Sequence, residues 1–366
     1  MRRHAPRRQP LTFRRRLAVM AGSAVTVLVV IVVLVGVWGV WSYFGPGPAA
    51  RRGGSTTVIL RHGASLPEIA SDLETQGVVR SGAVFMAAAQ ITRAARRLKA
   101  GEYAVPTGAS LAQVVEMIRD GRIVRHFVTI PEGMTAAQAT AILTASPVLA
   151  GAATAPPEGS LLPETYEVER GTERTVVLRR MMAARDRLLA ALWPRRRPGL
   201  PFKSPEEAVT LASIVEKETG LASERPRVAA VFVNRLEKGI PLSSDPTIVY
   251  GLTGGSPLGH GIRQSELASL TPYNTYHFTG LPPTPICNPG RASIAAVLDP
   301  APTDDLYFVA NGSGGHSFSA TMEEHQKNVQ RWRALERQRA EAPTPAPAAS
   351  PAPAKTPLRG EVSNGR

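Results

Sequence analysis

The chain has 366 residues, 43% of them hydrophobic, which is enough to bury one large core or two modest ones. Its formal net charge is +14, yet nine arginines and no acidic residue lie within residues 1–52, which leaves +5 for the other 314 residues. Because the basic excess is concentrated at the N-terminus, it argues against a nucleic-acid-binding surface, and no nucleic-acid partner is expected.

The first predicted element is an apolar helix over residues 17–44, a stretch without a charged residue. About 20 apolar residues are enough to cross a bilayer, and the run is longer than the roughly 7–15-residue core of a cleavable signal. Trp38, Trp41 and Tyr43 stand at its far end, as in an aromatic belt. Seven arginines precede the run and two follow it. The sequence therefore predicts a single transmembrane helix, with the basic segment 1–16 in the cytoplasm and the remainder outside.

The chain contains a single cysteine, Cys287. One cysteine cannot form an intramolecular disulfide. It does not directly follow the apolar run, where a lipid-modified cysteine would stand. We therefore expect a helical membrane anchor and not a lipoprotein.

A weak internal repeat follows a linker at residues 45–55. Residues 63–79 (GASLPEIASDLETQGVV) resemble residues 108–124 (GASLAQVVEMIRDGRIV), and a fainter third start lies at 131–143. Each copy has a serine that can cap a helix, apolar residues at helical spacing and a glycine that can end the helix.

Short strands are predicted before these helices, at residues 56–60 and 125–130. Strand-plus-helix units of this kind fit a LysM-like, glycan-binding subdomain over residues 56–145. The alternative is a single α+β domain in which helix caps recur. The repeat by itself does not decide between a LysM-like subdomain and such a domain.

Three further segments complete the predicted organisation. Residues 146–200 form a connecting segment with a basic amphipathic helix at about 173–192. A second α+β domain covers residues 201–335. The Pro/Ala-rich tail at 336–366 cannot build a core and is predicted to be disordered.

The stretch SIVEKETG at residues 213–220 places two glutamates at the end of an apolar helix that begins after Ser204. At 100° per residue, Glu218 lies nearer to the apolar stripe than Glu216. The helix dipole in the last turn and partial burial both favour a raised pKa for Glu218, as a general acid requires. The alternative is a charged, solvated helix end.

Motifs along most of the chain carry a family resemblance. They are KAGEYAV (99–105), VTIPEGMT (128–135), LASIVEKETGLASERPRVAAVFVNRL (211–236), LSSDPTIVYG (242–251), LTPYNTYHFTGLPPTPICNPG (270–290) and DLYFVANGSGGHSFS (305–319). In this order, behind an N-terminal anchor, they resemble the MltG/YceG-like family of endolytic murein transglycosylases over residues 55–335. The stretch EGSLLPETY (158–166) departs from the aromatic-rich pattern of the family.

The resemblance implies a lyase that cuts peptidoglycan glycan strands internally and ends their elongation. It assigns the catalytic role to Glu218, the second glutamate of the E-K-E-T motif, with Glu216 in support and Glu224 structural. Glu218 is expected to protonate the oxygen between MurNAc and GlcNAc and then to accept the proton of the C6 hydroxyl, which leaves a 1,6-anhydro-MurNAc end. An ordinary glycosidase needs two carboxylates, whereas here no obvious partner carboxylate accompanies Glu218.

Other polar residues in these motifs are candidates for substrate binding or support: Asn234, Asp245, Tyr250, Thr271, Tyr273, Asn274 and Tyr276. Turn formation is the competing explanation, above all for Asp245, which precedes a proline. The histidines at 260, 277, 316 and 325 show no metal-ligand spacing, so neither a metal nor another cofactor is expected.

The prediction is therefore an α+β protein with a transmembrane helix, a LysM-like subdomain and a YceG-like catalytic domain. Its resemblance implies the inner (cytoplasmic) membrane, a periplasmic catalytic domain, nascent glycan strands as substrate and peptidoglycan synthases as partners. Two alternatives remain: a non-catalytic peptidoglycan-binding scaffold of the cell-wall machinery, and a muramidase that uses water.

Overall fold

The computed structural model describes residues 13–51 and 53–341. The first twelve residues of the predicted basic segment and the part of the Pro/Ala-rich tail beyond residue 341 lie outside the described residues. The chain divides into two compact units, with the boundary between residues 186 and 187.

The first element is a 32-residue helix, α1 (Phe13–Phe44). Within it, the 23 residues Gly22–Phe44 have a mean hydropathy of 2.7. The predicted apolar helix is confirmed, and its length and composition suit a bilayer.

The next five elements of the N-terminal unit share one core. They are β1 (Ser55–Leu60), α2 (Leu66–Thr75), α3 (Gly82–Ile91), β2 (Gly101–Pro106) and α4 (Leu111–Asp120). β1 and β2 pair antiparallel with Val58 opposite Tyr103. Both side chains are buried together with Leu73, Phe85 and Ile118, so the two strands and three helices close around one apolar centre.

Three helices of this unit begin with the same hydrogen-bonded cap. In each cap, a hydroxyl side chain accepts a hydrogen bond from the backbone N–H three residues later; the cap residues are Ser65, Ser110 and Thr135. The Glu or Gln side chain at that later position accepts a hydrogen bond from the backbone N–H of the cap residue. Gly121 then ends α4 in the left-handed region, with a φ of 72°. The repeat seen in the sequence therefore corresponds to repeated helix capping.

A second core in the same unit is built by the elements that follow. They are β3 (His126–Thr129), α5 (Ala136–Ala145), β4 (Leu149–Ala150), β5 (Thr165–Val168), β6 (Thr172–Glu173) and the beginning of α6 (Arg174–Leu192). β3 pairs antiparallel with β5, and β4 pairs parallel with β6. Val128, Leu143 and Met181 are buried together. The predicted end of the LysM-like subdomain at residue 145 falls inside this core, because β3 pairs with a strand that lies beyond it.

The C-terminal unit is mostly helical. After a 3₁₀ turn at Trp193–Arg195, its elements are α7 (Pro205–Glu218), α8 (Arg225–Glu237), α9 (Asp245–Thr253), α10 (Gln264–Leu267), α11 (Arg291–Leu298), β7 (Tyr307–Ala310), β8 (His316–Ser319) and α12 (Met322–Glu341). Residues 208–215 of α7 and 228–233 of α8 are buried without interruption. Helices that are enclosed on every side have this pattern.

The described chain ends with a β-hairpin and a long helix. β7 and β8 form this hairpin, with Phe308 opposite Phe318. The last helix runs to Glu341, past the predicted domain end at residue 335, because its pattern of helix-forming residues continues into the segment assigned to the tail.

Candidate active site

Glu218 is the last residue of the buried helix α7, and local sequence explains why the helix ends there. Ser204 caps its start by accepting a hydrogen bond from Glu207 N at 3.2 Å, and Pro205 occupies the first turn. Thr219, the residue after Glu218, is extended. The helix thus carries one carboxyl from a buried interior to the point where the chain leaves the helix.

The carboxyl of Glu218 is held in an environment that disfavours its charge. Burial raises its pKa to about 7, against an ordinary value of 4.5. A hydrogen bond from Ser244 Oγ to Glu218 Oε1, 2.5 Å long, opposes this effect. The negative charge of Asp245 raises the pKa further, whereas the charges of His316 and Arg235 lower it. Near neutral pH, Glu218 can therefore both donate and accept a proton.

Glu218 opens onto a cavity of about 220 Å³. It is lined by Glu218, Arg235, Leu242, Ser243, Asp245, Tyr276 and Phe308. Two of the predicted binding or supporting residues, Asp245 and Tyr276, thus share a cavity with the predicted acid.

Asp245 brings a second carboxylate into this cavity. It is the first residue of α9, and its Oδ1 accepts a hydrogen bond of 2.7 Å from the Tyr276 hydroxyl. Burial and this hydrogen bond raise the pKa of Tyr276, so its hydroxyl stays protonated as the donor. The sequence indicated no partner carboxylate for Glu218. Asp245, one of the predicted supporting candidates, lies 27 positions later in the chain and comes to share a cavity with Glu218 only through folding.

Arg235 is a cavity residue that was not among the predicted site residues. Its Nε donates to Leu306 O at 2.7 Å and its Nη1 to Leu242 O at 2.6 Å, and its guanidinium lies 5.3 Å from the centre of the Tyr307 ring. Burial lowers the pKa of Arg235. One signal was available in the sequence: Arg235 stands just after a fully apolar stretch of helix, with only Asn234 between them.

The loop that carries Ser244 is held in place by Thr275. Ser243 N donates to Thr275 O and Ser244 N to Thr275 Oγ1, both at 3.0 Å, while Thr247 Oγ1 lies 2.9 Å from Thr275 Oγ1. Ser243 has a φ of 49°, which is uncommon for a residue other than glycine. These contacts aim the Ser244 hydroxyl at Glu218. Ser244 is the second serine of the LSSDP turn and was not selected from the sequence.

Glu216 has a different position from Glu218 and supports the framework. Its Oε2 accepts a hydrogen bond of 2.8 Å from Gly290 N, and its Oε1 lies 3.5 Å from Arg225 Nη2. Only 6% of its side chain is exposed. Since Gly290 caps the start of α11, Glu216 connects α7 to that helix terminus, where a negative charge is favourable.

Two of the predicted polar candidates, both asparagines, bond to backbone. Asn234 Nδ2 donates to the carbonyl oxygens of Thr303 and Asp305, at 2.8 and 2.9 Å. Asn274 is fully buried and donates to Leu267 O and Ser269 O, at 2.9 and 2.8 Å. These amides stabilise the loops on which the cavity residues lie.

The remaining candidates, Tyr250, Thr271 and Tyr273, form a cluster of their own around Gly251. The rings of Tyr250 and Tyr273 are 4.9 Å apart, edge to face. A Cβ at Gly251 would lie 2.4 Å from Thr271 Oγ1, so glycine is needed for this close approach. The Tyr273 hydroxyl lies 2.8 Å from Thr284 Oγ1.

A half-buried contact between Glu224 and His316 connects the hairpin to the start of α8. Glu224 Oε2 lies 2.7 Å from His316 Nδ1, and Glu224 Oε1 accepts from His316 N at 2.9 Å. Burial opposes ionisation of Glu224, yet the hydrogen bonds from His316 lower its pKa overall. His316 is thereby fixed as one of the charges that act on Glu218. Within residues 13–51 and 53–341, no group of three or more His, Cys, Asp or Glu side chains is arranged to hold a metal ion.

Comparison with known proteins gives a consistent set of relatives. The family model for the YceG-like family matches residues 58–331. An endolytic murein transglycosylase of Streptococcus pneumoniae (strain D39) is 28% identical over 322 residues, which cover 75% of this chain and 57% of that protein. An endolytic murein transglycosylase of Bacillus subtilis (strain 168) is 39% identical over 129 residues, 35% of each chain.

A solved structure is also similar to the chain. The crystal structure of a YceG-like protein from Listeria monocytogenes has 29% sequence identity and a TM-score of 0.46, and the match covers 75% of this chain and 98% of that one. The chain spans little more than half the length of the pneumococcal relative that it matches.

Proposed function

The chain belongs to the YceG-like family, and from that membership we propose that it is an endolytic murein transglycosylase. It cleaves the MurNAc–GlcNAc bond within glycan strands and leaves 1,6-anhydro-MurNAc ends, which terminates strand elongation. The observation that carries this proposal is the Glu218 carboxyl, which faces a polar cavity and has a pKa of about 7. The names of the similar proteins from Streptococcus pneumoniae and Bacillus subtilis support the same activity.

In the proposed reaction, Glu218 acts first as an acid and then as a base. Protonated Glu218 donates its proton to the bridging oxygen while the bond from C1 of MurNAc to that oxygen breaks. The leaving GlcNAc keeps the bonding electrons as a hydroxyl. The C6 oxygen of the same MurNAc then attacks C1, and the Glu218 carboxylate takes the proton of the C6 hydroxyl. A pKa near the working pH suits both transfers, and Ser244 stabilises the carboxylate between them.

Asp245 has a proposed electrostatic role in the same step. The transition state carries positive charge near C1, and a fixed negative charge nearby stabilises it. Tyr276 orients the Asp245 carboxylate through its 2.7 Å hydrogen bond. Both residues line the cavity with Glu218, which supports a substrate position between the two carboxylates.

The presence of a second carboxylate, Asp245, in the cavity favours one competing function. With two carboxylates in one cavity, Asp245 could serve as the base that activates water, which makes the protein a muramidase. A non-catalytic scaffold has no need for a buried acid with a pKa of about 7, so that alternative lacks support from the cavity.

Digestion of purified murein by the full chain in detergent, followed by mass spectrometry, separates the three functions. Transglycosylase activity gives anhydro ends, which are lighter by one water than the reducing ends from a muramidase, and a scaffold gives neither product. Glu218→Gln should abolish the anhydro ends. Asp245→Asn is the second arm: a muramidase whose base is Asp245 loses all reducing ends, whereas a transglycosylase only slows. Anhydro ends from Glu218→Gln at the wild-type rate would contradict the assignment.

We further propose that α1 anchors the enzyme in the cytoplasmic membrane, with the C-terminal unit on the periplasmic side. The apolar length of Gly22–Phe44 and the arginines before it support this topology. We propose a LysM-like, glycan-binding role for the predicted subdomain at residues 56–145, with residues 55–106 as its central part. The order strand, helix, helix, strand, with β1 paired to β2, supports it. Peptidoglycan synthases are the proposed partners, since they supply nascent strands at this membrane.

A further inference from the structure

The surface of the N-terminal unit next to the end of α1 is unusually apolar for a region outside a membrane helix. A groove of about 520 Å³ runs between the last turns of α1 and the outer face of α3. Its walls include Trp38, Tyr43 and Phe44 from α1, and Val84, Ile91 and Leu111 from the folded unit. Ile91 is 83% exposed and Phe44 67%. Large apolar side chains that cluster in this way mark a surface with a partner.

The position of this groove along α1 indicates which partner covers it. The span Gly22–Phe44 has 23 residues, or about 35 Å of helix against about 30 Å of bilayer hydrocarbon. Its last turn, with Trp41 and Phe44, therefore reaches the headgroup level. Since α3 lines the groove with this turn, Ile91 lies at the same level.

Charge next to the groove is complementary to an anionic lipid surface. Residues 92–99, which directly follow α3, read TRAARRLK and contain four basic residues and no acid. Arg96, Arg97 and Lys99 line a shallow cavity of about 570 Å³ together with Arg119 and Asp120. Arg119 is paired with Asp120 at 2.8 Å, so the excess charge of the cavity comes from the other three. An apolar helix face that continues into a basic segment is typical of interfacial membrane binding.

We infer that the outer face of α3 lies in the bilayer surface beside α1, with lipid acyl chains in the groove and anionic lipid headgroups on residues 92–99. This contact is additional to the transmembrane span and rests on the proposed anchor. It adds a second membrane contact to the first core, which is already joined to the segment after α1 by the hydrogen bonds from Gly47 N to Gly108 O and from Gly108 N to Pro48 O.

Spin-label accessibility in the full chain tests the inference. The chain is reconstituted into vesicles of zwitterionic lipid with or without phosphatidylglycerol, and a nitroxide is attached to Ile91→Cys or, as the reference for the span, to Val33→Cys. Cys287 is buried, and wild-type protein treated with the label is the blank. Collisions with oxygen, which concentrates in lipid, are compared with collisions with a water-soluble nickel chelate.

In vesicles with phosphatidylglycerol, we expect the label at position 91 to give an oxygen-to-nickel ratio above the water-like value and below that at Val33, because Ile91 lies at the headgroup level and Val33 at the centre of the span. Replacement of both Arg96 and Arg97 by glutamate should lower the ratio of docked to undocked protein by more than tenfold. Each basic residue at an anionic surface raises that ratio about fivefold. The matched reversal of Arg331 and Arg333 in α12, both exposed, should leave the ratio unchanged.

Four results would overturn the inference or a part of it, each for a different reason. A water-like ratio at position 91 with a lipid-like ratio at Val33 means that the anchor exists without docking. Low accessibility to both reagents means that a protein, such as a second copy, covers α3. A water-like ratio at Val33 removes the proposed anchor itself. A ratio unaffected by the reversal of Arg96 and Arg97, or by omission of phosphatidylglycerol, removes the assigned role of the anionic headgroups.

Discussion

Replacement of Glu218 by glutamine should stabilise the C-terminal unit at alkaline pH and have little effect at acidic pH. The pKa of Glu218 rises from 4.5 to about 7 on folding, with burial as the main cause. The folded protein therefore binds this proton more tightly than the unfolded chain does. Its free energy of unfolding falls as the pH rises from about 4.5 to about 7, and the full penalty persists above that range. Glutamine is neutral at every pH and can still accept the hydrogen bond from Ser244.

The size of this effect follows from the two pKa values. At pH 8, ionised Glu218 costs the folded state about 3 kcal/mol, and at pH 4 it costs almost nothing. Glu218→Gln should therefore raise the protection of the α7 amides against hydrogen exchange up to about 100-fold over wild type at pH 8. At pH 4 the two proteins should agree. Because variant and wild type are compared at one pH, the intrinsic exchange rate cancels.

Glu216→Gln is the matched control, two residues earlier on the same helix. The glutamine keeps an acceptor for Gly290 N but loses the charge that lies 3.5 Å from Arg225, so the free energy of opening that protects the α7 amides should fall by about 1 kcal/mol at pH 8. The two substitutions thus have opposite signs. A ratio of Glu218→Gln to wild-type protection that is the same at pH 4 and pH 8 would refute the raised pKa.

Three further predictions concern the cavity and the ion pair beside it. The murein cleavage rate should fall as the pH rises through about 7, because the Glu218 acid loses its proton; a flat rate between pH 5 and pH 9 would contradict this. Ser244→Ala should move this fall in rate to higher pH, because it removes a hydrogen bond that lowers the pKa of Glu218, and Asp245→Asn should move it to lower pH, because it removes a charge that raises that pKa. The two pH–rate profiles are measured side by side, and shifts in the same direction would contradict the prediction. Gly315→Ala places a Cβ 2.5 Å from Glu224 Oε1, which displaces the hydrogen bonds between Glu224 and His316. The free energy of unfolding should fall by about 1–3 kcal/mol, measured as faster hydrogen exchange of the β8 amides. Unchanged exchange would show that Glu224 moves aside without cost.

Local sequence patterns were sufficient for the parts of the protein that depend on neighbours along the chain. The apolar helix at the N-terminus and the strands at residues 56–60 and 125–130 are confirmed within a few residues. The bounds of α7 follow from a serine cap, a proline in the first turn and a run of apolar residues. Hydrogen bonds and side-chain contacts within a helix join residues three or four positions apart, so a short stretch contains all the information needed.

The choice between Glu216 and Glu218 shows where that information ends. The helical pattern placed Glu218 slightly nearer to the apolar stripe, and the resemblance made it the predicted acid. The pattern could not indicate that Glu216 is buried against Gly290, 74 positions away in the chain. A helical wheel defines the direction in which a side chain points, whereas its burial depends on which distant segment lies there.

The composition of the cavity was decided by tertiary structure alone. Asp245, Tyr276 and Arg235 come from different elements and meet Glu218 only when α7, α8, the start of α9 and the loop before α11 pack together. The sequence could select polar residues in the right motifs but could not separate Asp245, which faces the cavity, from Asn274, which is fully buried against backbone. Long-range packing sets the dielectric and the neighbouring charges of a carboxyl, and these two quantities determine its pKa and its chemistry.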